Sequence, residues 1–306
     1  MNLRGDRRRA ILATALAAGL LLLGACRGGQ PRAIVIGSKN FTEQSILGEL
    51  LAQRIEAATG VPVQRRFYLA GSYICQQAIL SGRIDAYVEY TGTALTAILK
   101  EPPSARRDEV YQRVRDAYAR RFNLDVLPPL GFNNTFAMVV RGEDARRLHL
   151  HALSQIAALA PQWRLGVGFE FIERPDGYQG LVKTYGLTFR ETPRLMDLGL
   201  IYRALKEKQV DIVAGNATDG LIAALDLAVL DDDRNYFPPY EAVPVVRHET
   251  LVRVPALRPA LESLAGKISE DDMRRLNYAV DGERREARDV VREFLRSRGL
   301  STAAEK

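Results

Sequence analysis

Histidine and cysteine are scarce: the 306 residues include three of the first and two of the second. His149 and His151 lie two apart and His248 stands alone, so the three or four converging ligands of a metal site are not evident. Cys75 lies in an apolar helical run and reads as a small core residue without an identifiable base to make it a nucleophile. The sequence has no Gly-x-Gly-x-x-Gly, no P-loop, no His-Glu-x-x-His and no Gly-x-Ser-x-Gly, which removes the common signatures of dinucleotide, phosphate, zinc-hydrolase and serine-hydrolase chemistry. After residue 23 no stretch is apolar for 18 residues, so no later segment is expected to span a membrane. The basic residues are scattered and none cluster with aromatics, so nucleic acid is not an expected partner. Of the net charge of +6, half belongs to the first 25 residues.

What is present begins with that N-terminus. Met1 to Arg9 is basic, and Ala10 to Leu23 is apolar but shorter than the ~20 residues of a span. The pattern predicts a signal peptide over residues 1–25. Its end, Leu23-Gly24-Ala25-Cys26, resembles a bacterial lipobox, which implies cleavage before Cys26 and lipidation of that cysteine. Residues 26–32 then form a tether that anchors the protein on the periplasmic or cell-surface side of a membrane. With Cys26 lipidated, Cys75 has no partner for an intrachain disulfide.

The rest is organised around Ile84-Asp85-Ala86-Tyr87-Val88-Glu89, which alternates as a strand does, and Tyr90-Thr91-Gly92-Thr93, which turns it toward a helix over Ala94 to Leu99. Such a turn offers a ring, hydroxyls and N–H groups to a ligand. The stretch has an echo. With Asp85 set over Asp211, residues 84–88 match Val210-Asp211-Ile212-Val213-Ala214, each preceded by a helical run and followed by a small polar turn. Two similar units suggest two similar lobes facing one cleft, although any two βα units share much of this pattern.

Alternating elements along the chain indicate an α/β fold. Ala33 to Gly37 reads as a buried strand. Thr42 is placed to cap a helix over Glu43 to Thr59 that stops at Gly60, and Gly186 ends another over Tyr178 to Tyr185. Phe169 to Gly177 reads as a loop rich in ligand-capable groups, and Asp231-Asp232-Asp233 as a solvated turn. Crossovers fall near Phe132–Phe136 and Asn235–Tyr240, giving one lobe from residues 33–133 and 241–306 and another from 134–240. Three helices close the chain, the second capped by Ser269.

Gly37-Ser38-Lys39-Asn40-Phe41-Thr42-Glu43-Gln44, Glu89-Tyr90-Thr91-Gly92-Thr93, Gly131-Phe132-Asn133-Asn134-Thr135-Phe136, Ala217-Thr218-Asp219-Gly220 and Phe237-Pro238-Pro239-Tyr240 occur in this order. The set resembles the substrate-binding proteins of osmoprotectant ABC importers, which take glycine betaine, choline, carnitine and related quaternary amines. The resemblance covers roughly residues 33–300. It implies a two-lobed, type II periplasmic-binding-protein fold with the ligand in the inter-lobe cleft. It also implies a monomer that delivers solute to an ABC permease, with no cofactor and no catalysis.

Carried over position by position, the resemblance makes Tyr90 and Tyr240 cage tyrosines, Thr93 the polar residue that tunes ligand choice, and Lys39 and Arg174 the basic residues for a carboxylate. Rings suit a quaternary ammonium, which has no N–H to donate. Two positions depart. Phe136 keeps the ring of the usual tyrosine and loses its hydroxyl, and Asn216 stands where another tyrosine is usual, at the position the echo pairs with Tyr90. Tyr202, beside Ile201 and Leu205, reads as core. Two alternatives stay open: another small cationic or zwitterionic solute such as a basic amino acid, and an enzyme or sensor on the same fold.

Overall fold

The computed structural model describes residues 32–300. The expected signal peptide, Cys26 and nearly all of the tether lie outside them. Among these residues ten strands occur in chain order: β1 Ile34–Gly37, β2 Val63–Arg66, β3 Ala86–Tyr90, β4 Leu124–Val126, β5 Phe136–Arg141, β6 Leu165–Val167, β7 Arg194–Leu195, β8 Ile212–Asn216, β9 Leu227–Leu230 and β10 Ala242–Arg247. They form two five-stranded sheets, ordered β2-β1-β3-β10-β4 and β7-β6-β8-β5-β9.

The echo in the sequence is a shared plan. β3 and β8 are the middle strands, each parallel to one neighbour (β1, β6) and antiparallel to a strand arriving from the other sheet (β10, β5). The superposed aspartates do the same work. The Asp85 N–H donates to Val35 O at 2.7 Å and its Oδ2 accepts the Val35 N–H at 2.8 Å. The Asp211 N–H donates to Arg164 O at 2.8 Å and its Oδ2 accepts the Arg164 N–H at 2.9 Å. Each reciprocal pair fixes the start of a middle strand against its parallel neighbour.

Helices cover both faces of each sheet, so each sheet carries a core cluster on either side. The alternation along β3 is real but does not make a wet face. Ala86, Val88 and Tyr90 enter one cluster, Tyr87 enters the other, and all five residues are buried. Cys75 is buried in that second cluster, and Tyr202 is buried too, as their surroundings in the sequence suggest. The chain passes between the sheets twice, through residues 127–135 and 231–241. These passages lie side by side: Asn133 bridges Glu241, and Asn134 N–H donates to Tyr240 O at 3.0 Å.

Several local expectations need correction. Phe41, not Thr42, holds the N-cap of the Thr42–Thr59 helix, and the Thr42 hydroxyl instead donates to Asp281 Oδ1 at 2.6 Å. Gly60 and Gly186 do end their helices, with φ of 67° and 64°. The expected loop after β6 starts as a helix, Phe169–Glu173. The Asp231–Asp233 turn is exposed at both ends as expected, but half-buried Asp232 is also an anchor: it accepts the Tyr185 hydroxyl and the N–H groups of Tyr236 and Phe237, which fixes the second passage. Among the described residues four helices, not three, follow β10, and Ser269 caps the one over Glu270–Asp281.

If the paired aspartates set the middle strands, Asp85→Ala and Asp211→Ala should each destabilise the fold by about 1–3 kcal/mol, since each leaves the backbone N–H of Val35 or Arg164 without its acceptor. Denaturant unfolding of the two variants checks this. A change below ~0.5 kcal/mol in either would show that the tie is idle.

Candidate functional site

β3 ends at Tyr90 and β8 at Asn216, the residues the echo superposes. At these ends lies a cavity of about 260 Å³, walled from both sheets. It is small beside the ~300–1,000 Å³ of drug-sized sites. Lys39, Tyr90, Thr93, Phe136, Arg174, Asn216 and Tyr240 all line it. Seven residues spread over 200 positions thus converge on one space.

Helix starts immediately after β3, as Thr91–Thr93 and then a π-helical turn over Ala94–Ile98. Two of the N–H groups expected to be free there are taken: Tyr90 N–H donates to Glu89 Oε1 at 2.7 Å and Thr91 N–H to Glu241 O at 3.0 Å. What the turn supplies is proximity. A Cβ on Gly92 would stand 2.7 Å from Pro239 O and 2.8 Å from the Tyr240 ring, so only glycine lets the second passage lie this close.

Phe136 is the centre of an aromatic group. Its ring centroid is 5.7 Å from that of Tyr240, 4.9 Å from Phe171 and 5.7 Å from Phe237. The Arg174 guanidinium lies 4.8 Å from the Phe136 centroid and 5.7 Å from that of Tyr240. Its fork engages Asp176 at 2.9 and 2.6 Å, and the Tyr240 hydroxyl donates to the same carboxylate at 2.5 Å. Burial alone would raise Asp176, but the Arg174 charge and the hydrogen bonds it receives hold it below the usual carboxylate range. Lys39 is ion-paired with Glu89, both nearly inaccessible, and its ammonium lies 4.7 Å from the Tyr90 centroid. The two basic residues are therefore on the wall, each already carrying a buried acid as partner. Burial, reinforced by Glu43 and Asp176, keeps the Tyr90 and Tyr240 phenols well above their ordinary values and hence neutral.

Asn216 supplies no ring. Its Nδ2 donates to Asp219 Oδ2 at 3.2 Å and its N–H to the same oxygen at 3.1 Å. Behind it the Tyr202 hydroxyl donates to Asp219. Tyr202 does not reach the main cavity; with Asp219, Asp281 and Thr42 it lines a side chamber of about 50 Å³. Burial raises the Asp219 carboxyl to about 7, hydrogen bonds from Tyr202 and Asn216 lower it, and nearby Glu43 adds to the rise.

Sequence reasoning passed over the residues that hold this wall in place. Glu43, fully buried, accepts Tyr90 Oη–H at 2.5 Å, Asn134 Nδ2–H at 2.8 Å, Thr218 Oγ1–H at 2.5 Å and Asn277 Nδ2–H at 3.0 Å. Glu43 stood inside one of the quoted motifs and Asp176 two residues after Arg174, so both carried a signal. Glu170, also on the wall, was visible only as part of a polar stretch. Asn277, in a C-terminal helix, had none.

The Asp219 carboxyl gives a pH test. Its folded value lies above the unfolded one of 3.8, so its stabilising protonation is complete below about pH 4 and is lost as the pH rises to about 7. The melting temperature of Asp219→Asn relative to the natural protein should therefore increase between pH 5 and 7.5. A difference that is flat over that range would contradict the assignment.

Residues 32–297 match the family described as the substrate binding domain of ABC-type glycine betaine transport systems. A carnitine transport binding protein of Listeria monocytogenes is 33% identical over 293 residues, which cover 94% of this chain and 95% of that one. The ergothioneine transport permease/ergothioneine binding protein of Helicobacter pylori is 34% identical over 89% of this chain, which spans about half (48%) of that longer protein. Among solved structures, a glycine betaine/carnitine/choline ABC transporter protein is 36% identical with a TM-score of 0.73, over 87% of this chain and 99% of that one.

Proposed function

Since the chain belongs to the family of substrate-binding domains of ABC-type glycine betaine transport systems, we propose that it holds a quaternary amine in the cavity between its sheets and passes it to a membrane permease. Membership makes it a transport binding protein, not an enzyme. The observation that carries the ligand reading is the convergence of Tyr90, Phe136, Tyr240, Thr93, Asn216, Lys39 and Arg174 on one small cavity. A quaternary ammonium has no hydrogen-bond donor and is held by ring faces. Lys39 and Arg174 retain N–H groups beyond those given to Glu89 and Asp176, since an ammonium has three and a guanidinium five. A solute carboxylate has donors to meet there.

The mechanism we infer is closure. Residues 33–133 with 241–306 make one lobe and residues 134–240 the other, and the paired passages are the hinge about which they shut on the solute. The protein acts as a monomer outside the cytoplasm, tethered through a lipid on Cys26, and no step in this mechanism calls for a cofactor.

Calorimetric titration with choline, glycine betaine and carnitine tests the site. A desolvated ring contributes up to ~2 kcal/mol to holding a cation, so Tyr90→Ala and Tyr240→Ala should each weaken binding roughly thirtyfold, at 1.4 kcal/mol per factor of ten. Unchanged affinity in either variant would remove that ring from the site. For the anchor, Cys26→Ser should shift the protein from the membrane to the soluble fraction. An unmodified Cys26 in membrane-bound protein, seen by mass spectrometry, would contradict lipidation.

A further inference from the structure

The Ser72–Leu80 helix starts at one edge of the cavity without a cap of its own. Gly71 holds the N-cap position and has no side chain to offer, and the first turn has no acidic residue. The cap comes from across the cavity. Glu170, in the Phe169–Glu173 helix after β6, accepts the Ser72 N–H on Oε1 and the Ser72 hydroxyl on Oε2 at 3.3 Å. A carboxylate at a helix N-terminus meets both the unsatisfied N–H groups and the positive end of the helix dipole. Gly71 and Glu170 both line the cavity, and Ser72 beneath them is buried.

Gly71 leaves room for this contact. Its φ of −76° is open to any residue, yet a Cβ would lie 2.1 Å from Glu170 Oε1 and 2.4 Å from Cδ. An alanine there would have to push the Glu170 carboxylate off this contact, while the backbone itself would accept it.

We propose that Glu170 is a latch. It joins the two halves of the molecule at the cavity through contacts that are entirely protein to protein. Closure then does not wait for solute: the latch biases the empty protein toward the closed form and slows the escape of a solute already inside. Glu170 is a positioning residue, acting on the solute by holding the far wall in place. The inference rests on the reading that the two halves open and shut.

Pulsed electron resonance distances between spin labels on exposed Gln77 and Gln179, in a Cys26→Ser background, test it. Cys75 stays unlabelled, because burial encloses it and pushes its thiol up to about 12. Without solute, the natural sequence should show the short distance as a main population. Glu170→Gln and Gly71→Ala should each lower the closed-to-open ratio about tenfold, and Ser72→Ala, which keeps its N–H, should lower it less. The choline dissociation rate should rise by a similar factor in the first two. A solute-free protein that is open, or ratios within about twofold of the natural sequence in Glu170→Gln, would overturn the latch. Should Gly71→Ala fail to fold, Glu170→Gln alone decides. If no quaternary amine binds, the ligand reading falls while the solute-free distances still settle the latch.

Discussion

The site depends on one buried carboxylate. Glu43, in the first turn of the Thr42–Thr59 helix, takes hydrogen bonds from the end of β3, the first passage, the turn after β8 and the Glu270–Asp281 helix. An ionised carboxylate offers about four lone-pair sites, and here four donors fill them. Burial raises Glu43 above the ordinary range and those four donors oppose the rise. The arrangement ties the Tyr90 ring, the first passage and the second sheet to a single point. A lost donor leaves a buried acceptor short of a partner, at about 1–3 kcal/mol.

The cavity is built on the same principle of acids behind a wall of rings. Glu89 stands behind Lys39 and Asp176 behind Arg174, and each acid also accepts from a tyrosine of the cavity wall: Glu89 from the Tyr90 N–H, Asp176 from the Tyr240 hydroxyl. Buried ion pairs contribute little net stability. Their value here is geometric. The Arg174 guanidinium is held 4.8 Å from the Phe136 centroid and 5.7 Å from that of Tyr240; on the proposed reading, rings fixed this way lower the ordering cost of binding.

Much of this was legible in the sequence, for reasons that are local. Hydrophobic period and helix stops such as Gly60 are decided within a few residues. The echo of Asp85 in Asp211 survives because both units solve one problem, the start of a middle strand. The family resemblance brought seven of the residues that line the cavity into view. What sequence did not show is what depends on partners far along the chain. Thr42 reads as a cap until Asp281 is beside it, and Asp232 reads as solvated and nothing more until Tyr185 reaches it. Asn277 and Glu170 reach partners 234 and 98 residues away. The missing ring at Asn216 was visible, but the Tyr202 phenol behind it was not.

The central claim is that a quaternary ammonium sits against Tyr90, Phe136 and Tyr240 between the two sheets. A crystal structure of the protein grown with saturating choline tests it most directly. The account predicts density for the trimethylammonium group within about 6 Å of those ring centroids, the reach of a cation–π contact. Choline bound elsewhere, or a cavity holding only water at saturation, would contradict it.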